Sequence, residues 1–239
     1  MSGNNRVALI TGASGGLGSV VTALFLEAGY RVSAVALEWE KPAPRSESWM
    51  AIRADLTIRS AAESAVRQTL EKWGTVDFLV HLAGAFGAGQ RVEETSDALW
   101  EQMLDVNLRC AVNMLRAVIP IMHQNREGRI MVVGSTSAIH PVVAWSAFSA
   151  SVAGLCSLVG TSAAELREDG ITVNAILPTT IDTPAVRAMC GEADRPKWVN
   201  PNSLGSPMLW LCSDAGRDVT GALIPVIGRQ PHPCHEWHS

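Results

Sequence analysis

Hydrophobic residues in this chain form short runs that alternate with longer segments of helical spacing. The short runs are rich in β-branched residues and predict strands at 7–10, 32–37, 50–52, 78–81, 130–133, 172–176 and 223–226. Apolar residues at helical spacing predict helices at 61–73, 97–122, 145–166 and 206–212. Ser206, followed by Pro207, is the predicted cap of the last helix. The pattern is therefore one of strands and helices in turn.

This alternation predicts an α/β fold of the Rossmann type, a doubly wound parallel sheet of about seven strands with helices on both faces. Such a sheet binds its ligand in the crevice at the carboxyl ends of the strands. The chain contains no linker rich in Pro, Gly and Ser and no charge block. We therefore predict one domain over residues 1–239, of which 229–239 form a C-terminal tail.

Composition narrows the classes of partner. The 239 residues are 47% hydrophobic and 18% charged, with a formal net charge of −4, which allows a sizeable core and provides no basic footprint for nucleic acid. The N-terminal residues lack the pattern of a signal peptide, and no apolar run approaches the ~18 residues of a membrane span. We therefore predict a cytoplasmic protein that binds neither nucleic acid nor a membrane. Five scattered cysteines indicate reduced thiols rather than a disulfide framework.

A glycine-rich loop follows the first predicted strand and leads into a helix. Residues 11–18 read Thr-Gly-Ala-Ser-Gly-Gly-Leu-Gly. Glycines at such a turn let the backbone approach a pyrophosphate at a helix N-terminus, where free N–H groups and the helix dipole favour an anion. The loop therefore predicts a dinucleotide site.

Further motifs, in order and at matching spacing, resemble those of the short-chain dehydrogenase/reductase family from residue 6 to residue 228. The glycine loop resembles the family's Thr-Gly-x-x-x-Gly-x-Gly, and His-Leu-Ala-Gly at 81–84 stands where Asn-Asn-Ala-Gly is usual. Asp55 matches an acidic residue that contacts adenine. Asn107 and Ser135 match two members of the catalytic tetrad. Pro178 and the segment 181–183 resemble the part that holds the nicotinamide end of the cofactor.

The resemblance implies a nicotinamide dinucleotide, NAD(H) or NADP(H), as the cofactor, and a homodimer or homotetramer as the assembly. The residues it places on the cofactor are Thr11, Gly12, Ser14, Gly15, Gly16, Leu17, Gly18, Asp55, Leu56, Ala83, Gly84, Pro178, Ile181 and Thr183. The second strand ends in Ala36 and Leu37, and Glu38 follows, a carboxylate that would repel an adenosine 2′-phosphate. We therefore expect a preference for NAD(H).

The chain departs from the family at the two remaining catalytic positions. Thirteen residues after Ser135 stands Phe148 in place of Tyr, and four residues later stands Val152 in place of Lys. In the family the Tyr exchanges a proton as hydride moves, and the Lys lowers the pKa of that Tyr and binds the nicotinamide ribose. Phenylalanine and valine can do neither. The only tyrosine, Tyr30, precedes the second strand and cannot substitute.

Three polar residues remain as candidates for chemistry. Ser135 follows the fifth strand at the crevice, where we expect it to hydrogen-bond a substrate. His140 lies in the next loop and is the replacement acid or base that we predict, because histidine titrates near neutrality. Asn107 matches the catalytic Asn, although loss of the Lys breaks its proton relay and favours a structural role. For His81, on the adenosine side, we expect a packed or hydrogen-bonded role rather than catalysis.

Aromatic residues predict the lining of a substrate pocket for a small molecule. Trp145, Phe148 and Trp198 fall on segments that border the crevice, and packing in the core or an interface is the alternative for the two tryptophans. The tail holds three histidines and a cysteine that match no closed zinc pattern, at His232, Cys234, His235 and His238. We predict no metal site, and a solvated tail or an inter-subunit contact there.

Three functions are consistent with these observations. The first is an atypical NAD(P)-dependent dehydrogenase/reductase of specialised metabolism, whose small-molecule acceptor, quinonoid, iminium or conjugated carbonyl, accepts hydride without a Tyr proton. The second is a non-redox cyclase or isomerase that uses its aromatic walls to fold a substrate. The third is a non-catalytic cofactor-binding subunit paired with an active relative. We favour the first, because a pure scaffold needs no pyrophosphate loop.

Overall fold

A parallel seven-stranded sheet forms the centre of the molecule. The computed structural model describes residues 5–39 and 47–229. The strands are β1 (Val7–Thr11), β2 (Arg31–Ala36), β3 (Trp49–Arg53), β4 (Phe78–His81), β5 (Gly128–Val133), β6 (Ile171–Pro178) and β7 (Leu223–Val226). Their order is β3-β2-β1-β4-β5-β6-β7, and every neighbouring pair is parallel. The order reverses between β1 and β4, which puts the ligand crevice of a doubly wound sheet at the carboxyl ends of these strands.

Helices cover both faces of the sheet. They are α1 (Gly16–Glu27), α2 (Arg59–Trp73), α3 (Asp97–Leu104), α4 (Cys110–Asn125), α5 (Ser146–Leu166), α6 (Pro184–Cys190) and α7 (Pro201–Cys212). Successive side chains of a strand point to opposite faces. Leu9 accordingly packs in a core with residues of α2, α4 and α5, whereas Ala8 and Ile10 pack with α1 and α7. The predicted Rossmann-type fold is confirmed.

Three helical features differ from the prediction. The last helix begins at Pro201, where the side chain of Asn200 accepts a hydrogen bond from the Asn202 amide, so Ser206 is not the cap. Pro207 lies inside that helix, and the Ser206 hydroxyl donates to the Asn202 carbonyl at 3.2 Å. The predicted helix at 97–122 is interrupted by a π-helical turn at Asp105–Arg109. The seven-residue α6 was not predicted, because two turns are too short to establish a period.

Helix α5 is the central helix of one core. The segment Ser146–Asp169 has a mean hydropathy of 1.4 and is, by length and composition, long and apolar enough to cross a membrane. Serine, threonine and glycine interrupt its apolar residues, which is why no continuous run stood out in the sequence. Val152, Leu155 and Val159 are buried. The helix packs against β6, and the core helix of a soluble domain meets the same criteria.

The described cysteines are free thiols. Cys110, Cys156 and Cys212 are buried and Cys190 is exposed, as the reduced state predicted from the sequence requires; Cys234 lies outside the described residues. Burial raises the pKa of Cys110 to about 12 and that of Cys156 to about 11. These two thiols are therefore protonated and unreactive near neutral pH.

Candidate functional site

A cavity of about 440 Å³ lies at the carboxyl ends of β1, β2 and β4. The glycine loop forms one wall, and the segments that follow β3 and β4 form the others. Ten of the fourteen residues predicted to contact a cofactor line this cavity: Gly12, Ser14, Gly15, Gly16, Leu17, Gly18, Asp55, Leu56, Ala83 and Gly84. The structure thus brings the local glycine motif and two distant motifs to one site.

The glycine loop folds too tightly for a side chain at Gly12 or Gly18. Gly12 has a φ of +65°, and a Cβ there would lie 2.8 Å from the Ala83 amide nitrogen. A Cβ on Gly18 would lie 2.1 Å from the Gly12 carbonyl oxygen. The first turn of α1 has neither a side-chain cap nor an acidic residue, so its N–H groups are available to an anion from the cavity. The donors present therefore fit a pyrophosphate.

Thr11 supports the cavity from behind. The residue is fully buried, and its hydroxyl oxygen accepts hydrogen bonds from the amides of Leu82 and Ala83 at 3.1 and 3.2 Å. With both lone pairs used, the hydroxyl donates to Nδ1 of His81 at 2.9 Å. Thr11 therefore holds the strand that carries the cavity wall in place, rather than lining the surface itself.

His81 is a neutral, packed histidine. Burial lowers its pKa from 6.5 to about 4. Its Nε2 has no hydrogen-bond partner within the described part of the chain. Because its Nδ1 accepts from Thr11, the imidazole carries its single proton on Nε2. This arrangement supports the packed role expected for His81.

Protonation of His81 is expected to destabilise the fold at acidic pH. The unfolded chain binds a proton at this residue below pH ~6.5, whereas the folded chain does so only near pH 4, so stability falls as pH decreases through that window. The loss amounts to on the order of 3 kcal/mol. Urea unfolding of the wild type and of His81→Asn between pH 7 and pH 4.5 checks this, since asparagine does not titrate. Parallel stability curves for the two proteins would contradict it.

The cavity wall formed by the loop after β3 is fixed by two polar side chains. Oδ1 of Asp55 accepts from the amide and the hydroxyl of Thr57, at 3.0 and 2.6 Å. Nδ2 of Asn113, a residue of α4 that the sequence did not single out, donates to the carbonyls of Leu56 and Thr57 at 2.9 and 3.1 Å. These bonds fix the loop after β3, where the sequence analysis expects adenine to bind.

A charge pair lies at the end of β2. Nε of Arg53 donates to the Leu37 carbonyl at 3.1 Å, and an Nη of Arg53 lies 3.7 Å from a Glu38 carboxylate oxygen. Both charged side chains are about three-quarters exposed. The carboxylate predicted to exclude a 2′-phosphate therefore has a cation beside it, which the sequence analysis did not find.

The segment 181–183 packs across the mouth of the glycine loop. A Cβ on Gly16 would lie 2.7 Å from the Cβ of Thr183. Thr183 caps α6, and Ile181 forms an isolated bridge with Val199. Pro178, at the end of β6, accepts a hydrogen bond of 3.5 Å from the Thr136 hydroxyl through its carbonyl. The predicted nicotinamide segment thus faces the pyrophosphate loop.

Two arginines bind the carboxylate of Asp182, the central residue of the segment 181–183. Asp182 accepts hydrogen bonds from Arg187 and, at 3.0 Å, from Arg195. The hydrogen bond from Arg187 is the largest of the effects that hold the pKa of Asp182 below its usual range. The segment is therefore tied to α6 and to the turn that precedes Trp198.

An aromatic cluster occupies the position of the missing Tyr. Phe86, Trp145 and Phe148 make up this cluster, with ring centroids 4.7 Å apart for Phe86 and Trp145, 5.0 Å for Phe86 and Phe148 and 5.9 Å for Trp145 and Phe148. All three pairs are edge-to-face, the arrangement that aromatic quadrupoles favour. Val152, in place of the Lys, is 3% exposed in the core. Neither substituted position presents a proton or a charge.

Asn107 joins the cavity to the aromatic cluster. Its Oδ1 accepts from the Ala85 amide at 2.9 Å, and its Nδ2 donates to the Ser151 hydroxyl at 3.0 Å. Ser151 in turn donates to the Phe148 carbonyl at 2.7 Å. Ala85 lines the cavity and directly precedes Phe86. The amide of Asn107 is engaged in these bonds, which supports the structural role favoured for it.

Ser135 is held by a second serine, Ser137. Both residues are buried, and the Ser137 amide and hydroxyl donate to the Ser135 Oγ at 3.2 and 3.1 Å. The sequence analysis missed Ser137. The sequence Gly-Ser-Thr-Ser indicates this contact, because a serine hydroxyl readily accepts a hydrogen bond from the amide two residues later.

Two further candidates, His140 and Trp198, lie in the loop after β5 and in the segment after α6. His140 is half-buried, and its amide donates to the Thr136 carbonyl at 2.9 Å, which continues the turn after β5. Trp198 is 9% exposed, next to the Val199 bridge. A catalytic role for His140 and a pocket role for Trp198 stay predictions.

Within 5–39 and 47–229, no three His, Cys, Asp or Glu side chains form a possible metal site, and the tail histidines lie outside these ranges.

Comparison with known proteins gives consistent matches. The family model for short chain dehydrogenase matches residues 6–192. The short chain dehydrogenase adrF of Penicillium rubens is 29% identical over 242 residues, covering 92% of this chain and 94% of that protein. The (2S)-[(R)-hydroxy(phenyl)methyl]succinyl-CoA dehydrogenase subunit BbsD of Thauera aromatica is 29% identical over 239 residues, covering 94% and 96%. A 3-ketoacyl-(acyl-carrier-protein) reductase from Brucella melitensis complexed with NADH superposes with a TM-score of 0.86 at 28% identity, covering 94% and 98%.

Proposed function

The chain belongs to the short chain dehydrogenase family, and so to the oxidoreductases, and we propose that it transfers hydride to an activated small molecule without a proton donor at position 148. The observation that carries this proposal is a retained cofactor cradle beside an altered catalytic position. Gly12 and Gly18 leave no room for a Cβ, while Phe148 packs in an aromatic cluster. Selection for a mere scaffold would not require such a tight loop.

The cavity fits a nicotinamide dinucleotide. The N-terminal turn of α1 would hold the pyrophosphate, Asp55 and Leu56 the adenine, and Gly84 and Thr183 would face the nicotinamide end. Similarity to a reductase complexed with NADH supports this assignment. When bound in its reduced form, the dinucleotide supplies the hydride.

We favour NAD(H) over NADP(H). Glu38 sets a negative charge at the end of β2, where a 2′-phosphate would lie. Arg53 moderates this preference, because its guanidinium lies 3.7 Å from the same carboxylate and carries the opposite charge. We also propose a cytoplasmic homodimer or homotetramer, in keeping with the family resemblance.

A comparison of acceptors tests the proposed function. Purified protein with NADH should reduce an activated acceptor, either 2,3-dimethyl-1,4-naphthoquinone or the N-methyl-3,4-dihydroisoquinolinium ion, above the uncatalysed rate. It should leave 2-tetralone, an unconjugated ketone, unreduced, since the localised alkoxide needs a proton as it forms and position 148 carries no donor. Rapid reduction of 2-tetralone, or reduction of neither activated acceptor, would contradict the proposal.

His140 is the group that we propose to exchange the proton in the native reaction. His140→Ala should lower turnover at least ~100-fold, the low end of general acid–base contributions, without changing dinucleotide affinity. The measurement is steady-state turnover together with calorimetric titration of NADH, and His123→Ala, remote on α4, is the matched control. If turnover of His140→Ala were unchanged, His140 would not be the proton donor, and water would supply the proton instead.

A second candidate function is that of a cofactor-binding subunit in a hetero-oligomer. The observation in its favour is that one relative is itself named as a subunit of a dehydrogenase. Phe148 and Val152 are compatible with a chain whose partner performs the chemistry. Such a protein would bind NADH and reduce no acceptor until the active chain was added.

A further inference from the structure

The hydrogen bonds of Ser135 define what that side chain can offer a ligand. A hydroxyl oxygen has two lone pairs and one hydrogen. Ser137 donates to the Ser135 Oγ twice, from its amide and from its hydroxyl, at 3.2 and 3.1 Å. Both lone pairs are used, which leaves the Ser135 O–H to be donated. A ligand that binds this serine must therefore present a hydrogen-bond acceptor.

The aromatic cluster is held in a fixed arrangement near the same edge of the sheet. Trp145 follows Ala144, whose φ of +62° is rare for alanine and whose carbonyl accepts from the Gly89 amide at 2.9 Å. The hydroxyls of Thr95 and Ser146 lie 3.2 Å apart and tie the same two segments. The rings are therefore positioned before any ligand arrives.

The cluster also has a free face. Phe86 keeps 44% of its surface exposed although both other rings pack against it. Ile139 and Val143, in the loop between Ser135 and Trp145, are 42% and 89% exposed. Flat aromatic and aliphatic surfaces of this kind bind planar apolar rings, through stacking or edge-to-face contact.

The chemistry of the reduced product further limits which compounds can be the hydride acceptor. A simple ketone that takes up hydride becomes a localised alkoxide, which is far more basic than a phenolate, whose conjugate acid has a pKa of ~10. Phe148 has no proton to give, so the negative charge must be spread over the acceptor itself. An iminium ion becomes a neutral amine and has no use for a hydrogen-bond donor, and the positive end of the Ser135 O–H would repel it.

We propose that the hydride acceptor is a planar conjugated carbonyl compound, an enone or a quinone, whose oxygen accepts the Ser135 O–H while its ring system lies on the free face of the aromatic cluster. This assignment rests on the proposed function. Hydride from a reduced nicotinamide dinucleotide bonds to the carbon β to the carbonyl, the C=C π pair becomes the double bond of an enolate, the carbonyl π pair moves to oxygen, and Ser135 holds that oxygen. One proton, which we assign to His140, then completes the two-electron reduction, and in a quinone the dihydro product tautomerises to the hydroquinone. Ser137 is a positioning residue for Ser135.

The first test compares acceptors of the same two-ring size. With NADH, 2,3-dimethyl-1,4-naphthoquinone should be reduced at least ~100-fold faster than the N-methyl-3,4-dihydroisoquinolinium ion, each corrected for its uncatalysed rate. The two methyl groups of the quinone block addition of the exposed Cys190 thiol. Faster reduction of the iminium ion would overturn the inference and leave the proposed hydride transfer intact. If protein that binds NADH reduced neither acceptor, this would contradict both the inference and the proposed function.

The second test separates the roles of the two serines. Ser135→Ala should lower kcat for the quinone ~100-fold or more, as loss of one oxyanion donor does, and leave any residual iminium rate unchanged. Ser137→Ala should lower kcat ~10-fold with KM and NADH affinity unchanged, and Ser137→Thr should restore most of it. Ser157→Ala, exposed on α5, is the control. Equal losses for both acceptors would show a merely structural role and contradict the assignment.

The third test measures binding without turnover. Calorimetric titration of the quinone in the absence of dinucleotide should show ~10-fold weaker affinity for Phe86→Leu than for the wild type, because the leucine retains apolar volume and loses the ring face. Trp210→Leu, which removes an exposed aromatic ring from α7, is the control and should bind within ~2-fold of the wild type. Unchanged affinity in Phe86→Leu would contradict the placement on the aromatic cluster.

Discussion

Gly18→Ala is expected to abolish useful dinucleotide binding. A Cβ at this position would lie 2.1 Å from the Gly12 carbonyl oxygen and 2.7 Å from the Ala13 Cα, and both contacts are backbone atoms that cannot rotate away. The loop must therefore open, which displaces the amides that would face the pyrophosphate. We expect affinity for NADH to fall at least ~100-fold, equivalent to about 2.7 kcal/mol, with a stability loss of ~1–3 kcal/mol from overpacking.

The matched control is another helical glycine, Gly160 of α5. A Cβ there meets nothing within 4 Å, so Gly160→Ala should bind NADH normally. Its stability should rise by up to ~1 kcal/mol from helix propensity alone. Calorimetric titration and thermal unfolding of both variants provide the comparison. Affinity of Gly18→Ala within threefold of the wild type would show that the loop does not bind the cofactor.

Restoring the family's proton relay should need two substitutions at once. Phe148→Tyr alone should gain little alcohol dehydrogenase activity, because an unassisted phenol keeps a pKa of ~10. Val152→Lys alone should destabilise the fold, since residue 152 is 3% exposed and burial disfavours an ammonium. The double variant should oxidise a secondary alcohol with NAD⁺ at least ~10-fold faster than the product of the single gains predicts.

Initial rates of 1-tetralol oxidation by the four proteins, between pH 7 and pH 10, measure this coupling. Thermal unfolding of each variant checks that the comparison is between folded proteins. A robust dehydrogenase produced by Phe148→Tyr alone would contradict the role assigned to the missing lysine. The structure adds one expectation, that Asn107 remains bonded to Ser151 and does not rebuild the family's relay by itself.

The fold could be predicted because its signals are local. The strands are short apolar runs, of which β1, β4 and β6 are buried on both faces while the edge strands β3 and β7 are partly exposed, and the glycine loop needs only the eight residues of its own turn. The errors arose where local signals compete. Ser206 next to Pro207 looks like a helix start, yet Asn200 and Pro201 offer the same pair of signals one and a half turns earlier, and the longer helix buries Leu204 against the core.

The site was predicted only in part, because much of it depends on contacts between distant segments. Phe86 follows a recognisable motif, but nothing in the sequence shows that its ring meets Trp145 and Phe148. Arg53 ends β3 and Glu38 follows β2, and their pairing depends on the register that sets Arg53 opposite Ala36. In contrast, Ser135, Gly84 and Thr183 could be placed, since each closely follows a strand or caps a helix at the carboxyl edge of the sheet.

Asn107 illustrates why a matched motif does not fix a role. Its position resembles that of the catalytic Asn, but in this chain its amide links Ala85 to Ser151 and thereby the cavity wall to the helix of Phe148. These hydrogen bonds favour the structural role predicted for Asn107 over the proton transfer that the family assigns to this position. The structural role could be expected from the sequence, because the lysine is missing, whereas the partner Ser151 could not.

Calorimetric titration of the purified protein with NADH and with NADPH tests the central claim most directly, namely that the cavity below Gly12 and Gly18 is a working dinucleotide site despite Phe148 and Val152. The account predicts saturable binding of one dinucleotide per chain below millimolar concentration, tighter for NADH than for NADPH. Absence of saturable binding of either dinucleotide below millimolar concentration would contradict the account.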